Sequence, residues 1–292
     1  MSQLHLLYAH TKLNASFVPS SLKLLRINTL TSQQFLTDSN VSHLHLFRSE
    51  TSLEFIPINV RVLRIIDSEL NVTCVHLQQS KIKYLSVTDN KRSLDLKCLP
   101  NVTHLVIYNT PQYHLSFSFL PESIAHLDLE SNGLMQLTGF DRLASLHNLS
   151  KIIISKNKLK SFDLSYLPRN LSCLHLSDNK IENINLKPLR SHRNITRFGM
   201  DANTFNCTCD TCRDFYQIAK KQLTDMLFMD CSPASLITSV ELRYLTADYD
   251  SSIGQTMLQT LLEQIDNTIC YMEQKQPGET IKQTEATKKQ RK

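Results

Sequence analysis

Cysteine offers the most distinctive chemistry in this chain, because four of its eight cysteines, Cys207, Cys209, Cys212 and Cys231, crowd into one short stretch. Thiols so placed either hold a zinc ion or close disulfides. The Cys-x-Cys-x2-Cys offset is less regular than the paired Cys-x2-Cys knuckles of structural zinc sites, which favours disulfides. The remaining four, Cys74, Cys98, Cys173 and Cys270, are scattered, and spacing alone does not pair them. A second chemistry is N-glycosylation. Acceptor sequences occur at Asn14, Asn40, Asn71, Asn101, Asn148, Asn170, Asn194 and Asn206, eight of nineteen asparagines, where roughly three or four would arise by chance. Catalysis is not expected, since there is no Gly-rich phosphate loop, no His-Glu-x-x-His and no Gly-x-Ser-x-Gly. The acid pair Asp128 and Glu130 is ordinary for a solvated strand. The chain is read as non-enzymatic, without cofactor or metal.

The elements that position these residues follow a beat. "LSCLHLSDN" places Leu171, Leu174, Leu176 and Asn179 as L-x-x-L-x-L-x-x-N, with Ile181 two residues on. The same frame starts at Ile82, Ile124 and Leu149 with Asn in the ninth place, and at Leu22, Val41, Val60, Val102 and Ile195 with Leu30, Ser49, Ser68, Thr110 and Asn203 there. Successive starts are 19, 19, 22, 20, 22, 25, 22 and 24 residues apart. That is the period of leucine-rich repeats. Each unit supplies one short strand whose apolar side chains at places one, four, six and eleven enter a core shared with its neighbours. The ninth-place Asn offers an amide to the turning backbone. The expected fold is an α/β solenoid, a horseshoe with a parallel concave sheet, over residues 1–203.

Composition agrees with a globular chain, at 41% apolar and 20% charged residues. No run of about 18 apolar residues suggests a membrane span. The net charge of +5 is mild and partly owed to the terminal "KKQRK", so no nucleic-acid partner is expected. Met1, Leu4 and Leu6 fall in the frame of a tenth unit, without a leader or a cap before them. An amino-terminally incomplete chain is the expectation; a cytosolic protein with a bare end is the alternative.

The sequons bear on that choice. Asn40, Asn101, Asn148, Asn170 and Asn194 each stand just before the first place of a unit, in a solvated turn able to carry a sugar. This placing favours a secreted or extracellular protein.

Past the last unit, "NTFNCTCDTCRDFYQIAKKQLTDMLFMDCSPASL" sets Phe215, Ile218, Ala219 and Leu223 on one helical face, fit to shield the open solenoid end as a disulfide-stapled cap over 204–250. With N-x-F-x-C-x-C, a short helix and C-x-P, it resembles the carboxy-terminal cysteine caps of extracellular leucine-rich proteins such as Toll-type receptor ectodomains. The resemblance implies a bond between Cys207 and Cys231. The family's fourth cap cysteine is missing, so Cys209 is left to Cys212, Cys270 or neither.

Residues 251–275 read as an amphipathic helix striped by Leu258, Leu261, Leu262, Ile265, Ile269 and Met272, either a short coiled coil or a segment packed on the cap. The polar tail 276–292 has the composition of a disordered segment. Solenoid, cap and cysteine-bearing helix together are similar to the secreted leucine-rich immune proteins of insects, in which a coiled coil and a disulfide join two chains. The likeness implies innate immune recognition and an interchain bond through Cys270, in a homo- or heterodimer.

Alternation along the strands turns the residues between the leucines outward. These include Arg26, His43, His45, Arg64, Tyr84, His104 and His126, together with His5, His175, Phe47 and Tyr108, while Asp67, Asp89, Asp128 and Glu130 are assigned to the outer edge. Such a mixture suits a protein ligand. Cys173 takes the third place of its unit, on the concave face, unless the frame slips there. A receptor ectodomain and an intracellular adaptor are the competing readings.

Overall fold

The computed structural model describes residues 3–6, 22–28, 40–49, 59–69, 80–97, 99, 101–205, 214 and 225–227. Thirteen strands occur among them: β1 (Gln3–Leu6), β2 (Leu24–Asn28), β3 (His43–Phe47), β4 (Val62–Ile66), β5 (Tyr84–Thr88), β6 (His104–Tyr108), β7 (His114–Ser116), β8 (His126–Asp128), β9 (Gln136–Thr138), β10 (Lys151–Ile153), β11 (Cys173–His175), β12 (Arg197–Gly199) and β13 (Asp225–Leu227). All but β7 and β9 form one sheet of 11 strands, in chain order, with every pairing parallel.

The register follows the repeat frame unit by unit. Leu25, Leu44, Leu63, Leu85, Leu105, Leu127, Ile152, Leu174 and Phe198, the fourth-place residues, lie side by side across the sheet. The sixth-place residues, from Ile27 through Leu129 to Met200, are all 0% exposed. Each such side chain removed from water contributes about 1.5–3 kcal/mol, but only because the next unit covers it. Parallel strands with one shared, continuous core are the result.

After its sixth-place residue the chain must leave the sheet abruptly. It does so at place eight, where Arg48, Asp67, Asp89, Asn109, Ser131, Lys156, Asp178 and Ala202 all take positive φ, between 46° and 62°. Place nine then closes the turn. The Asn157 amide donates to the carbonyls of Leu129, Ile154 and Ser155, and its carbonyl accepts from Asn132 and Leu134 of the preceding unit. Asn179 and Asn203 repeat this one unit on, each donating to a sixth-place carbonyl in its own unit and in the one before. Where the ninth residue is Ser or Thr, a hydroxyl takes a reduced form of the same role. Ser68 donates to Ile66 and accepts from Ser49 N–H, and Thr110 donates to Tyr108 and accepts from Asn90 N–H.

The opposite side of the solenoid is built from less regular pieces. β7 and β9 pair as a separate two-stranded parallel sheet, and short 3-10 turns lie at Phe117–Phe119, Leu164–Tyr166 and Lys187–Ser191, with one α-helix at Phe140–Ser145. Phe117, Phe140 and Phe162 stack edge to face, with centroids 5.3 Å apart at both steps. This spine ties three units together.

Two features lie past the ninth unit. β13 adds to β12, aligning Phe198 with Met226, and Arg190 forms an ion pair with buried Asp214. The sequence reading foresaw a helical cover here and not a further strand. The residues that carry the cap, helix and tail expectations, including Cys207, Cys209, Cys212, Cys231 and Cys270, lie outside the described residues. So do Cys74, Cys98, Asn14, Asn71 and Asn206.

Candidate partner-binding face

The outward residues of the sheet form three rows, set by the pleat. The third-place row runs Leu24, His43, Val62, Tyr84, His104, His126, Lys151, Cys173, Arg197; the fifth-place row runs Arg26, His45, Arg64, Ser86, Val106, Asp128, Ile153, His175, Gly199. A third row begins Asn28, Phe47, Ile66, Thr88. All seven residues expected to meet a partner therefore fall on adjacent strands of one face, from β2 to β8.

Four of them touch in sequence. The Arg64 guanidinium carbon lies 5.3 Å from the Tyr84 ring centroid, Tyr84 stacks on His104 at 5.8 Å, and His104 meets His126 edge-on at 4.3 Å. Each group in this row is thus held against its neighbour by a ring contact. His43 and His104 are each further oriented by a hydrogen bond between Nδ1 and the hydroxyl of the preceding residue, Ser42 and Thr103.

His45 departs from its expected role as an open surface group. It is only 7% exposed and stands in register between Arg26 and Arg64. Burial first, then the charges of Arg64, Arg26 and His43, lower its pKa to about 4. It is neutral at physiological pH. His126 is also pushed down, by burial and then by His104 and Lys151.

Asp128 corrects the sequence reading. It was assigned to the outer edge, but it belongs to the fifth-place row, between Val106 and Ile153. Glu130 holds place seven of the same unit, just before the left-handed corner at Ser131, and pairs with Lys156 at 2.8 Å. Burial raises the Asp128 pKa more than the Glu130 N–H bond lowers it. Asp67 and Asp89 do stand at the rim, in the left-handed corners. Cys173 keeps its frame position, paired in register with Lys151 and Arg197, yet it is only 5% exposed. The frame does not slip there. His5 is placed on β1 by the register alone.

The framed sequons have a structural role that their spacing did not reveal. Asn40, Asn101, Asn148, Asn170 and Asn194 are all exposed. The side-chain amides of Asn148, Asn170 and Asn194 donate to the carbonyls of Glu122, His147 and Arg169 in the unit before. The sequon hydroxyls of Ser42, Thr103, Ser150, Ser172 and Thr196 donate to backbone carbonyls one unit back. Asn-x-Ser/Thr at this register is therefore also the pattern that links neighbouring strand entrances. A glycosylated Asn retains one amide hydrogen, so the sugar and the bond are compatible.

Among the described residues no helix is long and apolar enough to cross a membrane. No protein-family model matches the chain, and no curated protein matches it by sequence. Solved structures do. The crystal structure of human 5T4 (Wnt-activated inhibitory factor 1, trophoblast glycoprotein) superposes with a TM-score of 0.51 at 20% identity, covering 71% of this chain and 87% of that one. The fold is a leucine-rich-repeat solenoid. A leucine-rich-repeat protein of Leptospira interrogans (TM-score 0.36, 16% identity, 72% and 73% coverage) and an internalin of Listeria monocytogenes (0.35, 14%, 71% and 80%) also match.

Proposed function

We propose that this protein is a non-enzymatic scaffold that binds a protein ligand on the concave face of its solenoid, outside the cell and in innate immune recognition. The observation that carries the binding reading is the contiguous ladder Arg64, Tyr84, His104 and His126, an ordered cationic and aromatic surface of the kind enriched at protein interfaces. The extracellular placing draws on the excess of sequons and on the crowded cysteines, and is consistent with a fold neighbour whose own name describes a glycoprotein. In this reading residues 204–250 form the cap with a Cys207–Cys231 bond, and 251–275 carry Cys270 into an interchain disulfide. Dimers on non-reducing gels that persist in a Cys270→Ser variant would remove that last element.

An intracellular adaptor is the second reading, favoured by one observation. The hydrogen-bonded sequon residues supply a structural reason for Asn-x-Ser/Thr at three registers without any sugar. The full chain, expressed behind a secretory leader and treated with a peptide glycosidase, separates the two. Mass shifts at Asn40, Asn148, Asn170 and Asn194 support the extracellular reading, whereas an unmodified, reduced product supports the adaptor.

A further inference from the structure

The first five complete strands carry a charge distribution that the solenoid itself does not require. No Asp or Glu occupies any outward place of β2 to β6, although fifteen such places exist. Within them Arg26, His45 and Arg64 lie directly side by side. Like charges opposite one another in a sheet are destabilising, and the arrangement here excludes a proton from His45 to limit that repulsion. The Arg64 guanidinium rests over Tyr84, and among the described residues no carboxylate takes its N–H groups. The first acid on the face is Asp128 on β8.

One polar residue stands in each shoulder of this row, His43 on the third-place side and Asn28 on the other, and the rest is apolar. Leu24 and Val62 flank it on the third-place side, and Phe47 and Ile66, neighbours in register, flank it on the other. All four are partly exposed. A highly charged polymer such as heparin or a nucleic acid gains most from many flexible, fully solvated cations; a narrow arginine and histidine row between mainly apolar shoulders instead suits carboxylates on a chain that also carries apolar side chains.

We propose that this half of the concave face docks an acidic, apolar-interspersed segment of the partner protein, with Arg64 and His45 receiving its carboxylates and Phe47, Ile66 and Val62 its apolar groups. The proposal rests on the protein-binding reading above and specifies the partner's chemistry. Its energetic logic is that a carboxylate entering beside His45 meets the Arg64 guanidinium, which no carboxylate among the described residues neutralises. Desolvated Arg–carboxylate contacts then add to ordinary apolar burial.

The test uses the full chain and a random dodecapeptide library displayed on phage. Peptides retained by the wild type are sequenced, and one is synthesised with a fluorescent label in its native form and with every Glu and Asp replaced by Gln or Asn. The expected pool is enriched in acidic residues beside apolar ones. The neutralised peptide and the Arg64→Glu variant should each weaken anisotropy-measured binding at least about tenfold, with Arg64→Gln intermediate and circular dichroism unchanged. An enriched pool without acidic excess, or an acidic pool indifferent to Arg64→Glu, overturns the proposal but leaves a protein-binding face standing. Heparin that displaces the peptide and binds more tightly reassigns the row to polyanions and overturns it too. A library that yields no enriched pool removes this proposal and the protein-binding reading together.

Discussion

The two halves of the solenoid solve the same stacking problem differently. From Leu22 to Val102 the units are short, their strands five residues long, and their described ninth places held by Ser49, Ser68, Asn90 and Thr110. From Ile124 onward the units lengthen, the strands shrink to three residues, and Asn132, Asn157, Asn179 and Asn203 fill the ninth place without exception. In the second half the backbone ladder continues past the short strands, through Leu129 N–H to Ile153, Ile154 N–H to His175 and Leu176 N–H to Gly199, and the side-chain amides add further links between units. The first half keeps the backbone ladder long, which leaves a broader pleated surface, and its outward places carry the basic row. The inter-unit amides are concentrated in one half and the basic row in the other.

That division can be broken most severely at the phenylalanine spine. Phe117→Ala should cost about 3–5 kcal/mol, because Phe117 is fully buried and anchors the stack to Phe140; chemical denaturation reads the loss. Next is the asparagine ladder. Asn179→Ala orphans the buried Leu159 N–H and removes one of the two side-chain amides that donate to each of the carbonyls of Ile154 and Leu176, so unfolding free energy should fall by about 2–4 kcal/mol. The matching change in the first half, Thr110→Ala, removes one donor and one acceptor contact and should cost only about 1–2 kcal/mol. Equal losses would erase the distinction between the halves.

His45 sharpens the comparison through pH. Its folded pKa of about 4 lies below the ordinary 6.5, so between these values the unfolded chain binds the proton that the folded one refuses. Stability attributable to His45 is therefore full above about pH 6.5 and falls as pH drops toward 4. The change should be about 1–2 kcal/mol, discounted for partial solvation, and a His45→Gln variant should lack it in urea titrations across that range. The smallest effect is at the corners. Ser131 holds φ 62° without being glycine, and Ser131→Gly should raise stability by about 0.5–1 kcal/mol, read as a small increase in Tm.

Much of this architecture was legible in the residues. Apolar spacing placed all nine strands of the frame, since a parallel solenoid buries places four and six whatever else varies, and the Asn amide's role in the turn followed from its hydrogen-bonding capacity. The left-handed corners were not legible, because Arg48, Lys156 and Asp178 share no chemistry and the turn imposes its φ on whichever residue arrives. Nor was the β7–β9 sheet, whose three-residue strands sit outside the leucine frame. At the site, the alternation identified the outward residues correctly but not their depth. His45 and Cys173 sink because their flanking neighbours are long, and no periodicity carries that information. Sequon spacing was ambiguous for a physical reason: the same Asn and Ser/Thr that a sugar transferase reads also link adjacent units.

The division of labour is tested most directly by crossing two variants with two readouts. Arg64→Glu and Asn179→Ala are each measured for thermal unfolding and for binding of the selected acidic peptide below the lower Tm. The account predicts that Arg64→Glu keeps the wild-type Tm and loses binding at least about tenfold, while Asn179→Ala loses Tm and keeps its affinity. Arg64→Glu that unfolds early with its affinity intact, or Asn179→Ala that abolishes binding while folded, would contradict it.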